Sequence, residues 1–242
     1  MSSNPASGLQ RGFQGRRALD FVKDQLVTGR YAPGMPLPID SLAAQCGVSR
    51  QTMLEAMRAL AGDGLVSIVP QVGCQVAVHT IQQIGDYFLL FARVEGMLAG
   101  LAAARRVPED LPRLRSINAE IDALRASKYT VRQRAENHRL LNHEFHGHIH
   151  NIARTPEIAK LAKGFWDRSD FHLATTPQSH IYAERLEIAT DQHGDIIALI
   201  EDGDQKRAEK LMLNHVLGFR DAIIRGLDAA KTLEQPRTFA AR

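Results

Sequence analysis

The sequence predicts a mainly α-helical protein: three helices and a β-hairpin at the N-terminus, then an antiparallel bundle of six to seven helices. Two observations carry this prediction. Apolar residues recur at helical spacing along most of the chain, and the short β-type runs lie before residue 80. We expect a flexible arm over 1–14, a small domain over 15–79, a helical domain over 80–230 and a tail over 231–242.

Composition excludes several classes of protein. With 44% apolar and 24% charged residues, the chain is neither disordered nor fibrous. Two cysteines, Cys46 and Cys74, are too few for a disulfide scaffold and predict reduced thiols in a cytoplasm. The longest apolar run contains Arg93 and Glu95, which argues against a transmembrane helix, and the N-terminal segment lacks the apolar core of a signal peptide.

The net charge of +3 is concentrated in the N-terminal third. The first 80 residues hold seven lysines and arginines against five aspartates and glutamates. This excess is compatible with a surface that faces phosphates, although many enzymes carry a similar net charge.

The first 80 residues change character quickly. A helical pattern over Arg16–Val27 is followed by the turn-rich segment YAPGMPLP and a short helix over Leu42–Gln45. Ser49 is suited to cap the next helix. The apolar stripe of that helix comprises Met53, Ala56, Met57 and Leu60. Two β-type runs, Leu65–Val69 and Gln75–Val78, flank a turn and predict a hairpin.

Helical patterns continue after residue 80. They cover 82–105, 109–126, 131–153, 155–171, 182–201 and 204–229. The links are short, and Pro108, Pro112 and Pro156 lie near helix starts, where a missing N–H costs little. Short links between amphipathic helices predict an antiparallel bundle.

The segment SLAAQCGVSRQTMLEAMRAL has the pattern of a helix-turn-helix. The small residues Ala43 and Ala44 permit close helix crossing, Gly47 supplies the turn, and Val48 fills the gap between the helices. In this motif the start of the second helix reaches base edges in the major groove.

The second helix of the motif begins with residue types that suit DNA. Arg50 suits guanine or a phosphate, Gln51 suits adenine, and Thr52 suits a phosphate or a thymine methyl group. Gly73, in the hairpin, permits a close approach of the wing to the DNA backbone. A small helical packing unit with a hairpin lid has the same pattern, so the residues alone leave both interpretations open.

Residues 26–78 resemble the winged helix-turn-helix domain of GntR-family bacterial transcription regulators. The matching runs are Gly29–Gly34, Leu42–Arg50, Glu55–Leu60, Gly64–Val66 and Gly73–Val76. The resemblance implies operator DNA as a partner, contacted by Ser49, Arg50, Gln51, Thr52, Arg58 and Gly73. One departure is Leu54, where the family usually has an arginine. We expect a changed operator or weaker binding, with Arg58 as a partial substitute.

Eight of the ten histidines follow position 140. Asn142 and His146 share one helix face, and His193 and His215 lie on two later helices. Placed toward one interior, these four side chains form an N/O site for Zn²⁺, Ni²⁺ or Mn²⁺. A helical histidine is more often a surface or hydrogen-bonded core residue, and His150 also lies four residues from His146, so spacing alone leaves the ligand set open.

The C-terminal region resembles the FCD ligand-sensing domain of FadR-type GntR regulators. The run Asn142–His146 matches one family pattern, and His193–Asp204 matches another, with His215 at the usual interval after His193. The resemblance implies that Asn142, His146, His193 and His215 bind a divalent metal. The first of these is more often aspartate, so this site has one negative charge less. The other late histidines, including His143, His148, His150, His172 and His180, are expected to be solvated or structural.

Arg93 is the candidate effector-binding residue. It lies on the first bundle helix, four residues after Leu89 and four before Met97, and an arginine on an apolar face needs a partner. An ion pair or a solvated edge position provides one, and so does an effector carboxylate. Related domains carry a cavity-facing arginine on this helix, but that position is Phe91 here.

These observations favour a cytoplasmic, dimeric regulator, without membrane contact, that senses a small carboxylate and binds a pseudo-palindromic operator, most often as a repressor. Two alternatives remain. One is a metal-dependent enzyme that uses the histidine site, with Glu144 or Asp195 as its base. The other is a DNA-binding architectural dimer without an effector.

Overall fold

A computed structural model describes residues 5–175 and 181–234, with side chains over 12–175 and 181–228. The chain divides into two compact units. The N-terminal unit comprises the chain up to Thr80 together with Asp167–Thr175. The helical unit comprises Ile81–Trp166 and the chain from Thr176 onward. The sequence placed the division next to residue 80, but it did not assign the second segment to the N-terminal unit.

The N-terminal unit begins with three helices and a hairpin, in the predicted order. They are α1 (Pro5–Val27), α2 (Ile39–Cys46), α3 (Arg50–Gly62), β1 (Val66–Val69) and β2 (Gly73–Val76). The expected flexible arm over 1–14 differs from the structure, because α1 already begins at Pro5. Adding residues to a formed helix costs less than starting one, so α1 extends toward the N-terminus from its packed residues Ala18, Val22 and Leu26.

The wing is an antiparallel hairpin in which Val66 pairs with Val76 and Val69 pairs with Gly73. Strand β2 therefore begins two residues earlier than predicted. The backbone of Leu37 donates a hydrogen bond to Cys74 O at 2.8 Å, and Pro36 forms an isolated β-bridge with Gln75, so the turn-rich segment before α2 lies beside β2. This pairing fixes the wing against the helices.

The core of the N-terminal unit contains the predicted stripe of α3. Its fully buried members include Leu26, Leu42, Met53, Met57 and Leu60. Phe171 joins the same core, and Lys23 Nζ lies 2.8 Å from Asp167 Oδ2, so residues distant in sequence complete this unit. Both cysteines are free and buried.

The remaining helices that the structure describes are α4 to α10, and all of them except the part of α7 from Asp167 onward belong to the helical unit. They are α4 (Ile81–Arg105), α5 (Leu111–Ala123), α6 (Val131–Ile152), α7 (Pro156–Ala174), α8 (Ile181–Glu184), α9 (Leu186–Asp202) and α10 (Gln205–Glu234). The predicted helix over 182–201 is two helices separated at Arg185, and the predicted helix over 109–126 has 3₁₀ turns at both ends. The expected tail is helical up to Glu234, and 235–242 lie outside the described residues.

Helices α4 and α10 pack closely because α4 is glycine-rich at their contact. A Cβ atom at Gly96 would lie 2.8 Å from the backbone oxygen of Glu209, and one at Gly100 would lie 3.2 Å from that of Gln205. Helix α4 is long and apolar enough to cross a membrane by length and composition alone, but most of it is buried inside the protein, as in the core helix of a bundle.

Candidate functional site

The start of α3 is held by its own cap. Ser49 has extended backbone angles, and its Oγ accepts a hydrogen bond from the backbone N–H of Thr52 at 3.1 Å. The hydroxyl groups of Ser49 and Thr52 also lie 2.8 Å apart. Ser49 therefore positions the helix, and the Thr52 hydroxyl is already engaged in this cap.

Three predicted DNA-contacting side chains, Arg50, Gln51 and Arg58, are exposed on α3. Arg50 pairs with Asp40 at 2.9 Å, but both side chains are largely solvated, so a phosphate or base can replace the partner at little cost. Gln51 donates to Glu55 at 3.0 Å. Leu54 is half-buried.

Gly73 has the geometry that the sequence predicted for a wing residue. Its φ is +112°, which side chains rarely adopt, and no atom lies within 4 Å of the position of an added Cβ. The backbone is therefore open at this end of the hairpin.

The helical unit brings together three of the four predicted metal ligands. His146 of α6, His193 of α9 and His215 of α10 are fully buried, and their candidate ligand nitrogen atoms lie within 4.8 Å of one another. The Nε2 atoms of His193 and His215 are 3.3 Å apart. Asn142, one turn before His146, is also buried.

Neighbouring oxygen atoms orient two of these rings. Glu95 Oε2 lies 2.7 Å from His146 Nδ1, and Gln192 Oε1 lies 2.9 Å from His215 Nδ1. Because both oxygens accept, each Nδ1 carries the proton, and each Nε2 keeps its lone pair. This second layer of hydrogen bonds is typical of histidines that bind metals.

Unpartnered acceptor atoms also favour a cation site. The buried acceptor atoms Asn142 Oδ1 and His146 Nε2 have no hydrogen-bond partner within the described residues. Three imidazoles and one amide oxygen form a donor set that suits Zn²⁺, Ni²⁺ or Mn²⁺. The residues present therefore fit a divalent metal.

Burial keeps the three histidines in their metal-binding state. It lowers the pKa of His146, His193 and His215 because a charged ring is poorly solvated inside the protein. Neutral imidazole is the form that binds metals, so the cluster does not have to lose protons at neutral pH before it binds an ion.

Glu95 is the functional residue that sequence reasoning missed. In addition to His146, its carboxylate accepts hydrogen bonds from His150 Nε2 at 2.9 Å and Trp166 Nε1 at 3.1 Å. Burial raises the pKa of Glu95, but attraction to His150 and the hydrogen bonds from both histidines outweigh it and lower the pKa overall. The signal that could have identified it is the presence of a glutamate within the apolar run of α4.

The remaining late histidines that the structure describes have other surroundings. His150 is buried against Glu95, and His148 lies 3.0 Å from the backbone oxygen of Asp110. His143 packs its ring 4.6 Å from that of Trp166, and His172 is buried in the N-terminal unit. His180 lies outside the described residues.

The expected inward position of Arg93 is wrong. Its side chain is exposed, because it lies two residues before the buried Glu95 and therefore on the opposite side of α4. Glu144 and Asp195, the candidate bases of the enzyme alternative, are exposed as well. Glu144 forms an ion pair with Arg113.

Two protein-family models match the chain. Residues 15–76 match the bacterial regulatory proteins of the gntR family, and residues 86–218, more than half of the chain, match the FCD domain. The chain belongs to the GntR family. It has the architecture of the FadR-type regulators, with the winged helix-turn-helix before the FCD helical domain.

Similar proteins include two transcriptional repressors and a protein of known structure. The HTH-type transcriptional repressor GlaR of Escherichia coli is 25% identical over 201 residues, covering 81% of this chain and 90% of GlaR. The repressor RspR of the same species is 25% identical over 207 residues, covering 84% and 86%. The structure of E. coli McbR/YncC is similar in fold, with a TM-score of 0.70 and 18% identity over 88% of this chain and 97% of that one.

These similarities establish the class of protein. The chain is a DNA-binding transcription regulator of the GntR family. It is not an enzyme, which removes the metal-dependent enzyme from the two alternatives.

Proposed function

We propose that this regulator is a cytoplasmic repressor that binds a pseudo-palindromic operator as a homodimer and senses a small carboxylate at a metal centre in its helical unit. The histidine cluster is the observation that carries the proposal. Packing alone does not require three converging imidazoles and an unpartnered amide oxygen in a protein interior, so these polar groups favour a bound ion. The names of GlaR and RspR as repressors support the direction of control.

Operator binding rests on the start of α3. Arg50 and Gln51 are exposed there, and Arg58 follows two turns later. We propose that Arg50 and Gln51 read bases while Arg58 and the Gly73 backbone hold phosphates. The side chain of Leu54 can bind neither a base nor a phosphate, so this chain makes one ionic contact fewer per monomer than a relative with arginine there.

The outer face of α4 is proposed as part of the dimer interface. Leu89, Leu90 and Met97 are exposed large apolar residues, and Arg93 lies among them. Leu89, Arg93 and Met97 follow each other at intervals of four residues, which places them in one row along the helix. Burying this row against a second copy removes apolar surface from water and gives Arg93 a role at the interface instead of in the effector site.

The metal centre is proposed to hold the effector. Asn142, His146, His193 and His215 supply up to four ligands, and a bound divalent ion provides an open position for a carboxylate oxygen. The neutral Asn142 leaves more positive charge on the ion than aspartate does, which favours an anionic effector. Effector binding then changes operator affinity by a coupling free energy of about 1–3 kcal/mol.

Selection of duplexes from a random DNA pool by the full chain at about 0.15 M salt, followed by sequencing, tests this function. We expect a two-fold symmetric site, and an affinity for it that depends on carboxylates when the protein is metal-loaded. An operator whose affinity responds to no carboxylate favours the architectural dimer. Failure to enrich any sequence, with or without metal, contradicts operator binding itself.

A further inference from the structure

His138 is a buried histidine that the metal centre does not use. It is fully buried on α6, four residues before Asn142 and eight before His146, and so lies on the same helix face as both. Its Nδ1 lies 2.6 Å from the backbone oxygen of Tyr182. A carbonyl oxygen only accepts, so Nδ1 carries the proton and Nε2 is left with a lone pair.

The lone pair on His138 Nε2 accepts no hydrogen bond within the described part of the chain. His138 Nε2 is buried and has no hydrogen-bond partner there. Burial also lowers the pKa of His138 to about 4, which keeps the ring neutral and Nε2 an acceptor at pH 7. An unpartnered buried acceptor is costly to keep, and such atoms in proteins usually meet a ligand, an ion or a water.

Two intervening rings connect His138 to the histidine cluster. Its ring packs edge-on against Tyr182 at 5.4 Å, Tyr182 packs on Phe219 at 5.3 Å, and Phe219 packs on His215 at 5.8 Å. His138 also lies one helical turn from Asn142, a proposed ligand of the ion, on the same face of α6.

We propose that His138 Nε2 accepts a hydrogen bond from a hydroxyl group of the effector, which makes the effector a hydroxycarboxylate. This inference rests on the proposed function, in which the metal centre binds the carboxylate. The cation binds the carboxylate oxygen. The neutral imidazole of His138 only accepts at Nε2, and it therefore selects an O–H donor. A carboxylate without a hydroxyl leaves Nε2 unpartnered and binds more weakly.

Matched acids that differ by one hydroxyl group test the proposal. The probes are lactate with propionate, malate with succinate, and citrate with tricarballylate, added to the full chain loaded with Zn²⁺, Ni²⁺ or Mn²⁺. Trp166, the single tryptophan, has its ring 4.6 Å from that of His146, so its fluorescence reports binding at the centre. Thermal unfolding gives a second reading.

A hydroxyl group also binds metals directly, so tighter binding of a hydroxy acid does not by itself identify His138. The decisive quantity is the ratio of the two affinities of a pair, compared between the wild type and His138→Phe. In the wild type we expect the hydroxy acid of a pair to bind about tenfold more tightly. In His138→Phe that ratio falls to within about threefold of unity, while the metal affinity changes less than about threefold. His172→Phe, which alters another fully buried histidine, keeps the wild-type ratio.

Nuclear magnetic resonance of histidine ring nitrogens in the wild type avoids any question of folding in the variant. We expect the His138 Nε2 signal to move when the hydroxy acid binds and to stay in place with its deoxy partner. Equal binding within every pair, an unchanged ratio in His138→Phe, or a more than tenfold loss of metal affinity in that variant would overturn the role of His138. A metal-loaded protein that responds to no carboxylate overturns the proposed function as well.

Discussion

Glu95 Oε2 and His146 Nδ1 lie 2.7 Å apart, and both side chains are fully buried. The carboxylate fixes the tautomer of the imidazole and turns its Nε2 lone pair away from Glu95. The same carboxylate also holds His150 and Trp166. Glu95 on α4 therefore orients His146, the cluster histidine on α6, and its negative charge makes His146 a stronger ligand.

We predict that Glu95→Gln weakens metal binding about 10- to 100-fold, because a neutral amide no longer strengthens His146 as a ligand or fixes its tautomer with the same force. Titration of the metal-free full chain, followed through Trp166 fluorescence, measures the effect. Glu144→Gln, at an exposed position on α6, serves as the control. Equal metal affinity in Glu95→Gln and the control is the result that this account does not allow.

A second prediction concerns the amide ligand. Asn142→Asp adds a negative charge where the amide oxygen now lies, so we expect metal binding about tenfold tighter than in the wild type. In the metal-free protein the same change is destabilising, because it buries an uncompensated carboxylate. Asn151→Asp, exposed near the end of the same helix, should leave the metal affinity unchanged. Metal titrations and thermal unfolding with and without the ion distinguish these outcomes.

Leu54 gives a prediction for the DNA-binding surface. Leu54→Arg adds a cation beside the exposed first turn of α3, and we expect tighter operator binding with a salt dependence steeper by about one unit per monomer. Ala59→Arg adds the same charge at another exposed position of α3. Affinities measured over a range of salt concentrations separate a new phosphate contact from a general gain in charge. Identical slopes for both variants would count against a specific role of position 54.

Buried neutral histidines predict the pH dependence of stability in the metal-free protein. Burial lowers the pKa of His138 to about 4 and that of His172 to about 3, whereas the unfolded chain takes up these protons near pH 6.5. The free energy of unfolding therefore falls as the pH is lowered from 6.5 toward 4. In His172→Phe we expect a pH slope that is smaller by about one proton, measured by denaturant unfolding between pH 7 and 5. A slope equal to that of the wild type would mean that His172 is already charged in the folded state.

The parts of the molecule that the sequence predicted correctly are those encoded locally. The capped start of α3 at Ser49 and its apolar stripe depend on residues a few positions apart, and both are present. The convergence of His146, His193 and His215 followed from a family resemblance, because spacing alone did not distinguish His146 from His150.

The parts that were missed depend on helix rotation and on long-range packing. Arg93 and Glu95 are two residues apart, which is about 200° around a helix. An error in the rotation of α4 therefore predicted Arg93 as the inward residue, whereas Glu95 is the buried one. The place of Phe171 in the core of the N-terminal unit joins segments about 100 residues apart, which no local pattern reveals. The acceptor role of Glu95 toward three donors likewise depends on α4, α6 and α7 meeting.

Calorimetric titration of the metal-free full chain with Zn²⁺, Ni²⁺ and Mn²⁺ tests the central claim most directly. We predict one tightly bound ion per chain for at least one of these metals, and loss of that binding in His193→Ala. The exposed Arg93→Ala variant should retain it. Absence of stoichiometric binding for all three metals, or binding that His193→Ala leaves unchanged, would contradict a metal centre at these residues.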